Sequence, residues 1–74
     1  MKVLVVEDDR TLAERLCELL QADGFRVDVA NTGADADFLI QTERYDALVL
    51  DLGLPDGSGA NYLQQWRDAG IELV

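Results

Sequence analysis

An α/β fold laid out β-α-β-α-β-α, with its strands parallel, is encoded in this 74-residue chain. Unbroken apolar runs at Val3-Leu4-Val5-Val6 and Ala47-Leu48-Val49-Leu50 have the length of strands and not of helices. Segments of helical period separate the strand-like runs, and the short connections call for right-handed crossovers between parallel strands. Both runs end directly in acid, Glu7-Asp8-Asp9 after the first and Asp51 after the second. That puts carboxylates at the carboxyl end of the sheet, where open α/β sheets bind their ligands.

Residues 2–6 read as a buried strand, an apolar run closed by acid. Asp8 or Asp9 can cap the helix that follows, and either suits its positive end. That helix covers residues 10–23. Leu12, Leu16, Leu19 and Leu20 make one stripe at helical spacing, with Ala13 and Cys17 at its flank, and Gly24 stops it. Residues 25–30 alternate: Phe25, Val27 and Val29 point one way, Arg26 and Asp28 the other, the pattern of a half-covered edge strand. Asn31-Thr32-Gly33 is a turn, and Thr32 with Asp35 makes a capping-box variant. The second helix runs to Thr42 and buries Ala36, Leu39 and Ile40. Tyr45-Asp46 turns into strand 47–50, whose continuous apolar run predicts cover on both faces. Residues 51–57 form a loop rich in turn residues, Gly53, Pro55, Asp56 and Gly57. Ser58 can cap a third helix over 59–68, with Tyr62, Leu63 and Trp66 on its apolar face and Gly70 as its stop. Residues 71–74 begin an extended segment. The chain is read as one small domain with no repeat or linker.

Fifteen acids against six bases give a net charge of -9, which argues against nucleic acid or an anionic membrane as a direct partner of this segment. An aromatic content of 7% leaves the core to aliphatic side chains. The single cysteine, Cys17, excludes an internal disulfide and reads as a small core residue. The absence of histidine removes His-dependent triads and most zinc sites. No stretch has transmembrane length and the chain starts on a strand instead of a signal peptide, so a cytoplasmic location is expected.

Taken singly, Glu7-Asp8-Asp9 is as readily a helix cap as a site, and Asp51 is an ordinary loop acid. Together they differ: two separate buried strands deliver acid at one end of one sheet. Three or four carboxylates there are costly unless something positive sits among them. A hard divalent cation answers that need, and Mg²⁺ chemistry is mostly phosphoryl chemistry. Gly53, Gly57 and Gly59 do not make a phosphate loop, since no Gly-Lys-Ser/Thr follows.

The start Val-Leu-Val-Val-Glu-Asp-Asp, the stretch Asp51-Leu52-Gly53-Leu54-Pro55-Asp56-Gly57, and Gly59 opening the third helix resemble the receiver domain of bacterial two-component response regulators. The phrasing is most similar to the OmpR/PhoB-type class. The resemblance runs through all 74 residues in order and spacing. It implies a flavodoxin-like doubly wound parallel sheet, strand order 2-1-3-4-5 in the full fold, of which this chain supplies the βαβαβα portion. By position it implies that Asp51 accepts a phosphoryl group from a sensor histidine kinase. It makes Asp8 a direct Mg²⁺ ligand, Glu7 a ligand through water, and Gly53 the donor of a backbone carbonyl. Aspartyl-phosphate hydrolases also use a strand-end Asp, but they place a second acid two residues on, where this chain has Gly53.

The resemblance also sets what is expected to be missing from these residues. The family's switch Ser or Thr closes the fourth strand and its lysine closes the fifth; Lys2 is the only lysine here and lies at the wrong end of strand one. Loss of one preorganised donor commonly costs about 10²–10³ in rate, so autonomous phosphorylation of these 74 residues is expected to be slow or absent. Strand 47–50, central in the full fold, would be an apolar edge that invites pairing: either a homo-oligomer forms through the third strand or the C-terminal tail, or these residues are part of a longer receiver that covers the strand. The chain is expected to be a phosphoacceptor and not an enzyme, with DNA reached only through an effector domain outside these residues. The alternative is a degenerate receiver that acts as an interaction or oligomerisation module without phosphorylation.

Overall fold

Three parallel strands carry the molecule in the computed structural model, which describes residues 1–51 and 59–70. β1 (Lys2–Val6) lies in the middle, with β2 (Arg26–Ala30) on one side and β3 (Ala47–Leu50) on the other. Both pairings are parallel, with Val6 level with Ala30 and with Leu50. The middle position explains the unbroken apolar run of β1: Val3, Leu4, Val5 and Val6 are all buried, because helices cover both faces. β2 is an edge strand, as its alternation predicts.

α1 (Arg10–Ala22) lies over β2 and β1 on one face. Asp9 is its N-cap, accepting a hydrogen bond from the Leu12 N–H at 3.1 Å, and Gly24 ends it at φ 89°. The buried side of α1 is not the leucine stripe. Ala13 is its one fully buried residue; Leu16, Cys17 and Leu20 are half-buried, while Leu12 and Leu19 are exposed. The helix is turned so that a small residue meets the sheet, which lets the backbones close in. Counting leucines misses that rotation.

α2 (Gly33–Thr42) and α3 (Gly59–Asp68) occupy the other face. Thr32 caps α2 by accepting from the Asp35 N–H at 3.1 Å, and Gly70, at φ 80°, follows α3. Ala36 and Ile40 of α2 join Leu4, Val6, Ala30, Tyr45 and Trp66 in the core, with Leu39, Leu48, Leu50, Tyr62 and Leu63 packed around them. Trp66, 1% exposed, donates its indole N–H to Asp37 at 2.9 Å, which satisfies the one polar atom it takes inside. The expected cover on both faces of β3 holds for one face only. Leu48 and Leu50 pack against the core, but Val49 on the opposite face is 38% exposed, because α1 sits over β2 and β1. Among the described residues β3 is the outer strand. The Ser58 cap, the loop positions Gly53, Pro55, Asp56 and Gly57, and the extended segment 71–74 lie outside the described residues.

A polar cluster closes the amino end of the sheet. The Tyr45 hydroxyl donates to Asp28 at 2.7 Å, and Lys2 pairs with Glu43 at 3.4 Å and Asp28 at 3.6 Å. The Lys2 ammonium also stands 5.0 Å from the centroid of the Tyr45 ring. Burial, then the Asp28 carboxylate that accepts its proton, push the Tyr45 phenol well above its ordinary value of 10.0. The folded protein therefore holds a proton that the unfolded chain releases, so this contribution is complete below pH 10 and declines as pH rises above it. Chemical denaturation should show stability falling on the alkaline side of pH 10. Tyr45→Phe should cost about 1 kcal/mol at neutral pH and flatten that alkaline fall.

α2 and α3 meet where α2 begins. A Cβ added to Gly33 would run into the Tyr62 ring, itself packed 5.8 Å from the ring of Trp66. Gly33→Ala should therefore destabilise by about 1–3 kcal/mol, and much less in a Tyr62→Leu background, as a double-mutant cycle on thermal midpoints would show.

Candidate metal centre

The register of the sheet brings the three predicted acids together. One step past the paired ends, the Glu7 N–H donates to the Ala30 carbonyl at 3.0 Å and the Asp51 N–H to the Val6 carbonyl at 2.9 Å. Residues 7, 31 and 51 are thereby held level at the carboxyl end of the sheet. One carboxylate oxygen from each of Glu7, Asp8 and Asp51 lies within 4.8 Å of the others, with Glu7 and Asp51 half-buried and Asp8 exposed. Asp9 is not part of this group: its side chain is committed to the cap of α1. Gly53, expected to offer its carbonyl, lies outside the described residues.

Local hydrogen bonds shape the turn that carries Glu7 and Asp8. Glu7 Oε1 accepts from the Asp9 N–H at 3.2 Å, and the Glu7 carbonyl accepts from Asn31 Nδ2 at 2.9 Å. Burial raises the pKa of Glu7 above the usual carboxylate value; the charges of Asp51 and Asp8 push the same way, and the Asp9 N–H offsets part of it. Like charges are thus gathered against their mutual repulsion. The donor set is all oxygen and partly open to water, which suits a hard divalent cation that keeps some of its own waters. Asn31 was not visible as a site residue from the sequence, where it reads as a turn residue. The signal that finds it is the register, which sets it level with Glu7 and Asp51.

Comparison with known proteins points to one family. The family described as "response regulator receiver domain" matches residues 3–73. The transcriptional regulatory protein PmrA of Pectobacterium parmentieri is 46% identical over 67 residues, 90% of this chain and 30% of that protein. The virulence transcriptional regulatory protein PhoP of Salmonella typhimurium is 38% identical over 73 residues, 99% of this chain and 33% of that protein. This chain thus spans about a third of the length of these relatives. Among solved structures, a CheY-like receiver domain from Methylobacillus flagellatus superposes with TM-score 0.87 at 42% identity, covering 90% of this chain and 57% of that one. The response regulator TrrA of Thermotoga maritima, solved in complex with Mg²⁺ and BeF, gives TM-score 0.89 at 32% identity, covering 92% and 59%.

Gathering three carboxylates should cost stability when no cation is present. Asp8→Asn is expected to raise the metal-free thermal midpoint by a few degrees, at about 4–8 °C per kcal/mol for a domain of this size. A divalent cation that fills the group should raise the parent chain's midpoint with its concentration over Kd, and Asp8→Asn should abolish that rise. Differential scanning calorimetry with and without MgCl₂ reads both effects.

Proposed function

This chain belongs to the family of response regulator receiver domains, and we propose that it is of the OmpR/PhoB-type class and that Asp51 is its phosphoacceptor, taking a phosphoryl group from the phosphohistidine of a sensor histidine kinase. Its β2-β1-β3 sheet is the matching part of the flavodoxin-like receiver fold. The observation that carries the proposal is the convergence of Glu7, Asp8 and Asp51 at the carboxyl end of that sheet.

In this reading Glu7, Asp8 and Asp51 hold Mg²⁺, with Gly53 as the expected carbonyl donor. When bound, the ion neutralises charge on the phosphoryl oxygens. The chain's own residues do the rest. The Asp51 carboxylate is the nucleophile: an oxygen–phosphorus bond forms as the nitrogen–phosphorus bond to the kinase imidazole breaks, and the imidazole keeps the electron pair. β3 aims Asp51, whose N–H is fixed to Val6. The cap of α1 keeps Asp9 out of the way and holds the turn that presents Glu7 and Asp8. The product is an acyl phosphate, labile enough to serve as a signal.

On this reading the chain is a phosphoacceptor and not an enzyme acting on a separate substrate. Its relatives are named as transcriptional regulators, which supports transcription as the output, through parts of a longer protein. No helix among the described residues is long and apolar enough to cross a membrane. The three acids are all present and all converge, which weighs against a receiver that has abandoned phosphorylation for pure protein binding.

The test is phosphorylation of the chain by a small phosphodonor with Mg²⁺, read by intact mass, in parallel with Asp51→Asn. Over long incubation the parent chain should gain a phosphoryl group slowly, as expected of residues that include neither the family's switch hydroxyl nor its lysine, and the variant none. An equal gain in both would remove Asp51 from the role.

A further inference from the structure

We propose that Asn31 is a positioning residue for the metal centre, one that holds the Glu7-Asp8 turn closed before any cation arrives. The proposal rests on the reading of Glu7, Asp8 and Asp51 as the Mg²⁺ site. In a parallel ladder a residue donates its N–H to one position of the neighbouring strand and accepts at its carbonyl from the position two further along. Glu7 makes the first of these bonds, to the Ala30 carbonyl at 3.0 Å. The second would come from the backbone at position 32, but there the chain is leaving the sheet: Thr32 is the N-cap of α2. The side chain of Asn31 supplies the missing rung instead, its amide nitrogen 2.9 Å from the Glu7 carbonyl.

That bond fixes the plane of the Glu7-Asp8 peptide, and so the directions in which both carboxylates leave the backbone. Its value lies in the charges. Glu7, Asp8 and Asp51 repel one another, and a turn held at one side only would open to separate them. The Glu7 backbone is held at both of its polar groups, by Ala30 at its N–H and by Asn31 at its carbonyl. Partners of this kind, which orient the groups that touch a metal, commonly change affinity by about 10–100-fold when removed. Asn31 also lines an open groove of about 400 Å³ between α1 and β2, together with Ala13, Cys17 and Val29. Truncating it enlarges that groove and leaves no sealed void in the core, so a shortened variant should fold.

The experiment is isothermal titration of the 74-residue chain with MgCl₂, alongside thermal unfolding, for Asn31→Ala, Asn31→Asp and Thr32→Ala. Asn31→Ala should bind Mg²⁺ about tenfold more weakly, at the lower end of that range. Asn31→Asp should also bind more weakly although it adds a negative charge, since it loses the donor that meets the Glu7 carbonyl. Thr32→Ala loses the cap of α2 next door; it should melt earlier yet keep its Mg²⁺ affinity within about twofold of the parent, well inside the tenfold loss expected at Asn31. Parental affinity in Asn31→Ala would overturn the positioning role while leaving the metal centre standing. An equal loss of affinity in Thr32→Ala would overturn it too, by showing general loosening. A parent chain that neither binds Mg²⁺ nor gains thermal stability from it would remove the metal centre, and this proposal with it.

Discussion

β1 is paired in parallel on both sides, and that double pairing is the constraint everything else obeys. Val6 is level with Ala30 and with Leu50, so the residues one step later, Glu7, Asn31 and Asp51, leave the sheet at the same height. A one-residue slip in either pairing would turn the emerging side chain to the opposite face. The register is protected by the core, because Leu4, Val6 and Ala30 are buried together on the face that α2 and α3 cover. Burial of hydrocarbon therefore sets the geometry of a charged site that contains none of it.

The two ends of the sheet treat acid differently, and the contrast bears on chemistry. At the amino end Asp28 and Glu43 share Lys2, and Asp28 also accepts from Tyr45. Both ion pairs found among the described residues belong to Lys2. At the carboxyl end three acids lie close together: burial, then the charges of Asp51 and Asp8, raise the pKa of Glu7. A fold selected for stability alone would have no reason to assemble three carboxylates and leave the one lysine at the far end. A cluster of carboxylates held this close is a place where a cation from outside lowers the free energy.

Much of this was legible in the chain itself, for identifiable reasons. β1 and β3 announce themselves because hydrophobic runs of four ending in acid have few other structural meanings. The start of α2 is written locally in Thr32 and Asp35, and the ends of α1 and α3 in Gly24 and Gly70, whose positive φ needs no tertiary contact to be inferred. What escaped depends on neighbours distant in sequence. The sheet-facing side of α1 follows how closely Ala13 approaches β1 and β2, which leucine spacing does not record. The half cover of β3 depends on where α1 settles. Asn31 reads as a turn former because its partner, the Glu7 carbonyl, is a backbone atom 24 residues away. The acids stood out because two separate apolar runs both end in carboxylate; an amide that holds a peptide in place has no such signature.

The three residues that open α2 each answer to a different neighbour. Asn31 holds the turn that carries Glu7 and Asp8, Thr32 caps its own helix, and Gly33 makes room for the Tyr62 ring of α3. α3 is tied back to α2 a second time through Trp66 and Asp37. The β2–α2 junction thus touches the acidic centre on one side and the α2–α3 packing on the other. A displacement of the Glu7-Asp8 turn by a bound cation would load Asn31 first, and the next residues in the chain are the cap and the tightest helix contact. Rigid packing transmits such a load instead of absorbing it. The junction is therefore a short route, one hydrogen bond and then the chain itself, by which occupancy at the end of the sheet can reach α2 and α3.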